Sequence, residues 1–325
     1  MNIGFEIELG LRQGCLLSPI LFALFINDLV DEIQKLNLGI QCGLKKISLL
    51  LFADDIVVIA ESRKDLEKML TVIYDFSLKW RFKFNYDKCA MVIFDNKEFP
   101  NVQYGKCDGN CNCGFHVQFG PNLIKEVGIY KYLGVELDKK LSFKDFKTRL
   151  LDKAKRSLSK IWYMVIKSGY LSIKASLNLW ETLVRCQLEY GAEIWGKVKW
   201  NEAGTVQMDM CRRILRCPSR TTKLALQGDL GLWSLHGRRD FKKLSWWINV
   251  ITLDSSRLVK QMYKHSKDFG KKSTWTGMIK GILDKYGLTF LWQDEKKIYD
   301  VKSKTMITNP QRHQSKDIGR IISEK

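Results

Sequence analysis

Apolar positions change period along the chain, and each change marks a different kind of element. Ser18-Pro19 followed by ILFALFINDLVDEI predicts a helix start, because Ser is a good N-cap and Pro is pre-shaped for the first helical position. The first turns are apolar all round, as in a helix buried under a sheet. Residues 47–60, ISLLLFADDIVVIA, are two apolar and β-branched runs interrupted by Asp54-Asp55. They predict a tight hairpin between buried strands, with the carboxylates at its tip. Ser62 and Asp65 form a capping box ahead of Leu66, Met69, Leu70, Ile73, Phe76 and Trp80 at helical spacing, and this helix should pack one face on the sheet. Strand character resumes at Phe82, Phe84 and CAMVIF (Cys89 to Phe94), followed by a turn-rich stretch from Gly105 to Gly114.

After Tyr132-Leu133-Gly134 the period becomes helical. Ser142 and Asp145 make a second capping box, and Phe146, Leu150, Ala154, Leu158, Ile161, Trp162 and Val165 mark one face of a long helix that stops near Gly169. Helices are expected from there almost to the end, with a polar, frayed tail from about Thr305. The other face of the long helix is basic: eleven Lys or Arg between Lys139 and Lys174 stand against Asp145 and Asp152. A charge run is commonly just a solvated face. So one-sided a run favours contact with phosphates.

Composition narrows the class. A chain of 325 residues with 45% apolar residues can bury one or two sizeable cores, so two or three domains are expected. There is no stretch of 18 uncharged apolar residues, and the first 30 residues carry Glu6, Glu8 and Arg12 in place of a secretory signal, which predicts a soluble intracellular protein. The net charge of +19 makes a polyanion the default partner, nucleic acid before an acidic membrane face. Residues 1–60 run the other way, with seven acids against Arg12, Lys35, Lys45 and Lys46. Nine cysteines, an odd number without a secretory signal, read as reduced thiols.

Paired acids at a hairpin tip are costly unless a cation neutralises them, and a divalent metal would do so. Alone, Asp54-Asp55 reads equally well as the polar pair of an ordinary turn. The surrounding order of segments changes that balance: GLRQGCLLSP at Gly10 to Pro19, FADD at Phe52 to Asp55, NYDKCAMVIF at Asn85 to Phe94, then YKYLG at Tyr130 to Gly134. These resemble motifs B, C, D and E of reverse transcriptases, and the wording of motif B and of FADD resembles the non-LTR, LINE-like branch. The resemblance continues through the basic helix into LEYGAEIW at Leu188 to Trp195 and CRRIL at Cys211 to Leu215.

The resemblance implies RNA-templated DNA synthesis from a primer 3′ hydroxyl with deoxynucleoside triphosphates and Mg²⁺ in a two-metal site. It makes Asp54 a metal ligand with Asp55 as supporting acid, and Lys88 the motif D lysine near the nucleotide's phosphates. Gln13 and Gly14 would lie against nucleotide and template; Arg12 would either bind a phosphate or pair with Glu6 or Glu8. Tyr132, Leu133 and Gly134 match the primer grip. Lys144, Lys147, Lys155, Arg156 and Lys160 would follow the backbone of an RNA–DNA duplex formed by RNA template and DNA primer. A nuclear location and no membrane partner are implied as well.

The fold implied is α+β: a partial palm over 1–140 with an antiparallel sheet and two packed helices, a helical thumb over 141–200, and a helical C-terminal region over 201–325. Motif A and the fingers would stand before Gly10, where only nine residues are present, so the chain by itself is expected to be catalytically incompetent. A non-catalytic nucleic-acid-binding remnant is the alternative from another class, and group II intron maturases and telomerases share the palm. Cys107, Cys111 and Cys113, with Cys89 or His116, suggest a zinc knuckle or an unliganded loop. Trp246-Trp247, Trp275 and Trp292 would stack on bases or fill a core.

Overall fold

The computed structural model describes residues 14–43, 45–94, 116–169, 171–195, 200–269 and 274–295. The chain divides into two compact units, Met1–Tyr130 with Asp138–Lys140 and Lys131–Leu137 with Leu141–Lys325.

In the first unit, helix α1 (Ser18–Lys35) starts on Ser18 itself: Leu17 is the N-cap and makes no side-chain cap hydrogen bond, the backbone amides of Leu17 and Ser18 bond the Cys15 thiol, and Pro19 stands in the first turn. Ile26, Leu29 and Ile33 are buried, whereas Ile20, Leu21 and Leu24 are at least half exposed, which corrects the expectation of a helix buried all round. Helix α2 (Arg63–Lys79) packs along α1, and a single neighbouring helix covers only one stripe. The Ser62 cap of α2 forms as expected. Its hydroxyl accepts from the Asp65 amide at 3.2 Å and donates to the Asp65 carboxylate at 2.7 Å. Met69, Leu70, Ile73 and Phe76 are buried, each worth about 1.5–3 kcal/mol, while Trp80 at the C-cap stays 43% exposed.

Strands in this unit form separate antiparallel pairs: β1 (Ile40–Cys42) with β2 (Lys45–Ile47), β3 (Leu49–Phe52) with β4 (Asp55–Val58), and β5 (His116–Phe119) with β6 (Asn122–Lys125). The mixed helix and sheet class holds, but the single antiparallel sheet expected from the sequence is not formed among the described residues. CAMVIF is likewise not a strand. It contributes one bridge, with the Met91 amide donating to Lys125 O at 3.0 Å and the Val127 amide to Met91 O at 2.8 Å. Aromatic packing takes the place of a ladder: Phe82 lies 5.9 Å from Phe25, 6.0 Å from Phe76 and 5.2 Å from Phe84, ring centre to ring centre.

The boundary between the units runs through a last hairpin, β7 (Ile129–Tyr132) and β8 (Val135–Asp138). The second unit is otherwise helical. Helix α3 (Lys144–Ser168) buries Phe146, Leu151, Ala154, Leu158 and Ile161 and ends at Gly169, whose φ of +76° suits a glycine. Phe143, in left-handed backbone, takes the N-cap position in place of Ser142, whose hydroxyl accepts from the Lys144 amide at 3.4 Å. Helix α4 (Ile173–Leu179) continues through a π-helical turn (Trp180–Arg185) into α5 (Cys186–Leu188), placing Trp180, Val184 and Leu188 in the core. Then follow α6 (Ala192–Trp195), α7 (Asn201–Leu215), α8 (Lys223–Asp229), α9 (Leu235–Ile251), α10 (Leu258–Phe269), α11 (Trp275–Lys285) and α12 (Thr289–Gln293). One core joins α3 to α7, α8 and the start of α9; another joins α9, α10 and α11. No described helix is long and apolar enough to cross a membrane.

Candidate functional site

Asp54 and Asp55 stand on the β3–β4 hairpin, whose register pairs Leu49 with Val58 and Phe52 with Asp55. Two residues turn the chain, Ala53 and Asp54. Ala53 has φ +50°, a left-handed conformation that costs a residue with a Cβ about 1–2 kcal/mol; strain of this kind collects at functional sites. Both carboxylates are exposed and the strands behind them are half-buried, less deeply than expected. Neither Asp makes an ion pair with a described residue. Two adjacent hard oxygen donors open to solvent fit a magnesium ion, which takes one or two carboxylates together with phosphates and water. No group of three or more His, Cys, Asp or Glu suited to a metal occurs among the described residues.

Lys88 closes a 3-10 turn (Tyr86–Lys88) held by the Cys89 amide donating to Tyr86 O at 3.1 Å, and its side chain is exposed. The Tyr130 hydroxyl donates to Lys88 O at 3.3 Å. Burial raises the Tyr130 phenol above its usual range, and the charge of Asp55 raises it further. The structure thus brings Asp55, the Lys88 backbone and Tyr130 into one neighbourhood. Sequence reasoning missed Tyr130 as a functional candidate, although it is the first letter of YKYLG.

Gly14 has φ +81°, while Arg12 and Gln13 lie outside the described residues, as do Cys107, Cys111 and Cys113. Tyr132, Leu133 and Gly134 lie on the β7–β8 hairpin. Leu133 (φ +46°) and Gly134 (φ +83°) form its two-residue turn, with positive φ at both positions as in the type I′ turns that match strand twist.

On α3, Lys144, Lys155, Arg156 and Lys160 are exposed, but Lys147 is half-buried. Burial lowers its pKa, with Glu202 pulling it up and Arg239 pushing it down. Its expected place on the solvent face is therefore corrected. It shares a stripe with Leu151, Ala154 and Leu158, which follow it at helical spacing. The tryptophans are mostly structural. Trp247 is buried and donates to Tyr263 Oη at 3.0 Å, Trp275 donates to Glu193 O at 2.8 Å, and Trp292 stacks on Trp247 with ring centres 6.3 Å apart. Only Trp246 of the four is largely exposed.

The first unit thus presents two acids on a hairpin with the Lys88 turn in the same neighbourhood, and the second unit carries a helix with exposed cations. Residues 2–137 match the family described as reverse transcriptase (RNA-dependent DNA polymerase). This chain carries a reverse-transcriptase domain homologous to the RNA-directed DNA polymerases of non-LTR retrotransposons. It is 25% identical over 226 residues to the RNA-directed DNA polymerase from mobile element jockey of Drosophila melanogaster, covering 65% of this chain and 22% of that protein. It is 23% identical over 232 residues to a probable RNA-directed DNA polymerase from transposon BS of the same species, covering 69% and 24%. A shorter match, 37% over 83 residues, covers 26% of this chain and 8% of the Pol polyprotein from type-2 retrotransposable element R2DM. The chain thus spans under a quarter of the length of the first two relatives.

Proposed function

We propose that the chain forms the palm end and thumb of an RNA-directed DNA polymerase, adding deoxynucleotides to a primer 3′ hydroxyl along an RNA template. The observation that carries this reading is the exposed Asp54-Asp55 pair on a strained hairpin, inside the stretch that matches the family. Asp54 serves as metal-ligating carboxylate and Asp55 as its supporting acid. Bound Mg²⁺ supplies a lowered pKa for the primer hydroxyl and charge stabilisation for the leaving pyrophosphate. Lys88, whose exposed ammonium has no ion-pair partner among the described residues, acts on the nucleotide's phosphates and donates a proton to the leaving group. Tyr130 holds the Lys88 turn. Gln13 and Gly14 line the nucleotide and template, Arg12 meets a phosphate, and Tyr132, Leu133 and Gly134 hold the primer end.

Helix α3 is read as the duplex track. Its exposed cations Lys144, Lys155, Arg156 and Lys160 bind phosphates without sequence preference, because backbone contacts position a duplex and base contacts specify it. Counterion release gives a slope of log affinity against log salt near −0.9 per phosphate on B-form DNA. Four contacts therefore predict a slope of roughly −3 to −4. Replacing all four by Gln should flatten it with little change in thermal stability, since exposed charges add little to folding. Adding Lys147→Gln should not flatten it further, because that side chain is half-buried on the core stripe. Binding titrations at several salt concentrations test this; an unchanged slope in the four-Gln variant would move the duplex elsewhere. Loss of extension activity on Asp54 replacement tests the chemistry itself.

A further inference from the structure

The LEYGAEIW segment resembles the family but has no part in the chemistry above. Its Tyr190 lies between α5 and α6, 57 residues from the β7–β8 turn in sequence, yet its hydroxyl donates to the Leu133 carbonyl at 2.7 Å. The ring occupies the space over Gly134: a Cβ added there would lie 2.7 Å from the Tyr190 hydroxyl oxygen and 3.0 Å from its Cε1. One residue on, a Cβ on Gly191 would lie 3.0 Å from Cγ2 of Val135. Both glycines are therefore where a side chain lies directly against the backbone, Tyr190 on Gly134 and Val135 on Gly191.

What holds Tyr190 is equally specific. Its carbonyl accepts from Trp195 Nε1 at 2.7 Å. The preceding residue, Glu189, is buried and accepts from Arg238 Nε at 2.7 Å, and its carbonyl accepts from Lys242 Nζ at 3.1 Å. Burying a carboxylate is costly unless it is paired and hydrogen-bonded, and Arg238 supplies both the ion pair and the hydrogen bond. The phenol is thus aimed from a fixed base in α9 at a turn whose two positive φ angles already restrict its shape.

We infer that Tyr190 is a positioning residue that sets the direction of the Leu133–Gly134 turn toward the primer end, with Glu189 as its anchor. This rests on reading the β7–β8 hairpin as the primer grip. The test is direct binding of the 325-residue chain to two probes, an RNA–DNA duplex with a recessed primer 3′ end and a blunt duplex of equal length. The unmodified chain should prefer the recessed end. Tyr190→Phe keeps the ring over Gly134 and removes only the hydrogen bond, so the preference should fall by about two- to tenfold, the worth of one such bond. Blunt-duplex affinity should stay the same, and the thermal midpoint should fall by no more than about 6 °C.

Leu133→Ala, an exposed change on the turn itself, serves as the control on the grip reading. Loss of preference in both variants supports the inference. If Leu133→Ala loses it and Tyr190→Phe keeps it, the grip reading stands and the role of Tyr190 is overturned. If neither variant changes the preference, the grip reading fails and the inference falls with it. A fall in blunt-duplex affinity equal to that for the recessed end would make Tyr190 a structural residue only.

Discussion

In a polymerase that carries this chain, Asp54→Asn is expected to abolish nucleotide addition while leaving folding and duplex binding almost unchanged. Asn keeps the size and the turn-forming character of Asp but removes the negative charge and one hard ligand oxygen. The metal contribution to phosphoryl transfer is several kcal/mol of transition-state stabilisation, and each 1.4 kcal/mol or so is tenfold in rate. A loss of at least about a hundredfold in single-turnover extension follows. Stability should move by no more than about 0.5 kcal/mol, as for surface changes that touch no packed group. Asp55→Asn should also slow extension, through the supporting acid. Extension within about tenfold of the unmodified enzyme would remove Asp54 from the ligand set.

Local features were legible in the sequence because their causes are local. The Ser62 cap and the apolar spacing of α2 lie within a few residues of one another, and both are found as read. The Asp54-Asp55 hairpin was legible for the same reason, since the two strands are neighbours in sequence. Lys147 was misread because charge alone was counted as solvent-facing; its spacing to Leu151, Ala154 and Leu158 already put it on the core stripe. Pairing between distant strands was not legible, because periodicity says nothing about which edges meet. Nor were the contacts of Tyr190 with Leu133, or of Glu189 with Arg238, 49 residues apart. These are tertiary choices, which no local pattern records.

The largest stability effect is expected at Asp240, on α9. Its buried carboxylate accepts from Lys285 Nζ at 2.8 Å and Tyr286 Oη at 3.2 Å, and faces Lys243 Nζ at 3.5 Å and His236 Nε2 at 3.6 Å. Burial by itself would raise this carboxyl, but the Lys285 hydrogen bond and the charges of Lys243 and His236 outweigh it and hold it below its ordinary value of 3.8. Lys243 is almost wholly buried, and burial pushes its ammonium down while Asp240 draws it back up. Asp240→Ala leaves that ammonium in the interior without the carboxylate beside it. Removing one partner of a buried pair costs about 3–5 kcal/mol, which for a unit of this size is roughly a 6–20 °C fall in midpoint, at about 2–4 °C per kcal/mol. The pH dependence has a definite sign. Burial depresses His236 below its ordinary 6.5, ahead of the upward pull of Asp240, so the unfolded chain binds the extra proton and stability declines as pH falls below 6.5. The Asp240 contribution is complete above 3.8 and disappears as pH drops through its lower folded value. Thermal melts from pH 8 to pH 3 decide the matter. Asp240→Ala should melt well below the unmodified chain at pH 7, and the two curves should converge in acid. A parallel pair of curves would mean that Asp240 is not the group that acid titrates.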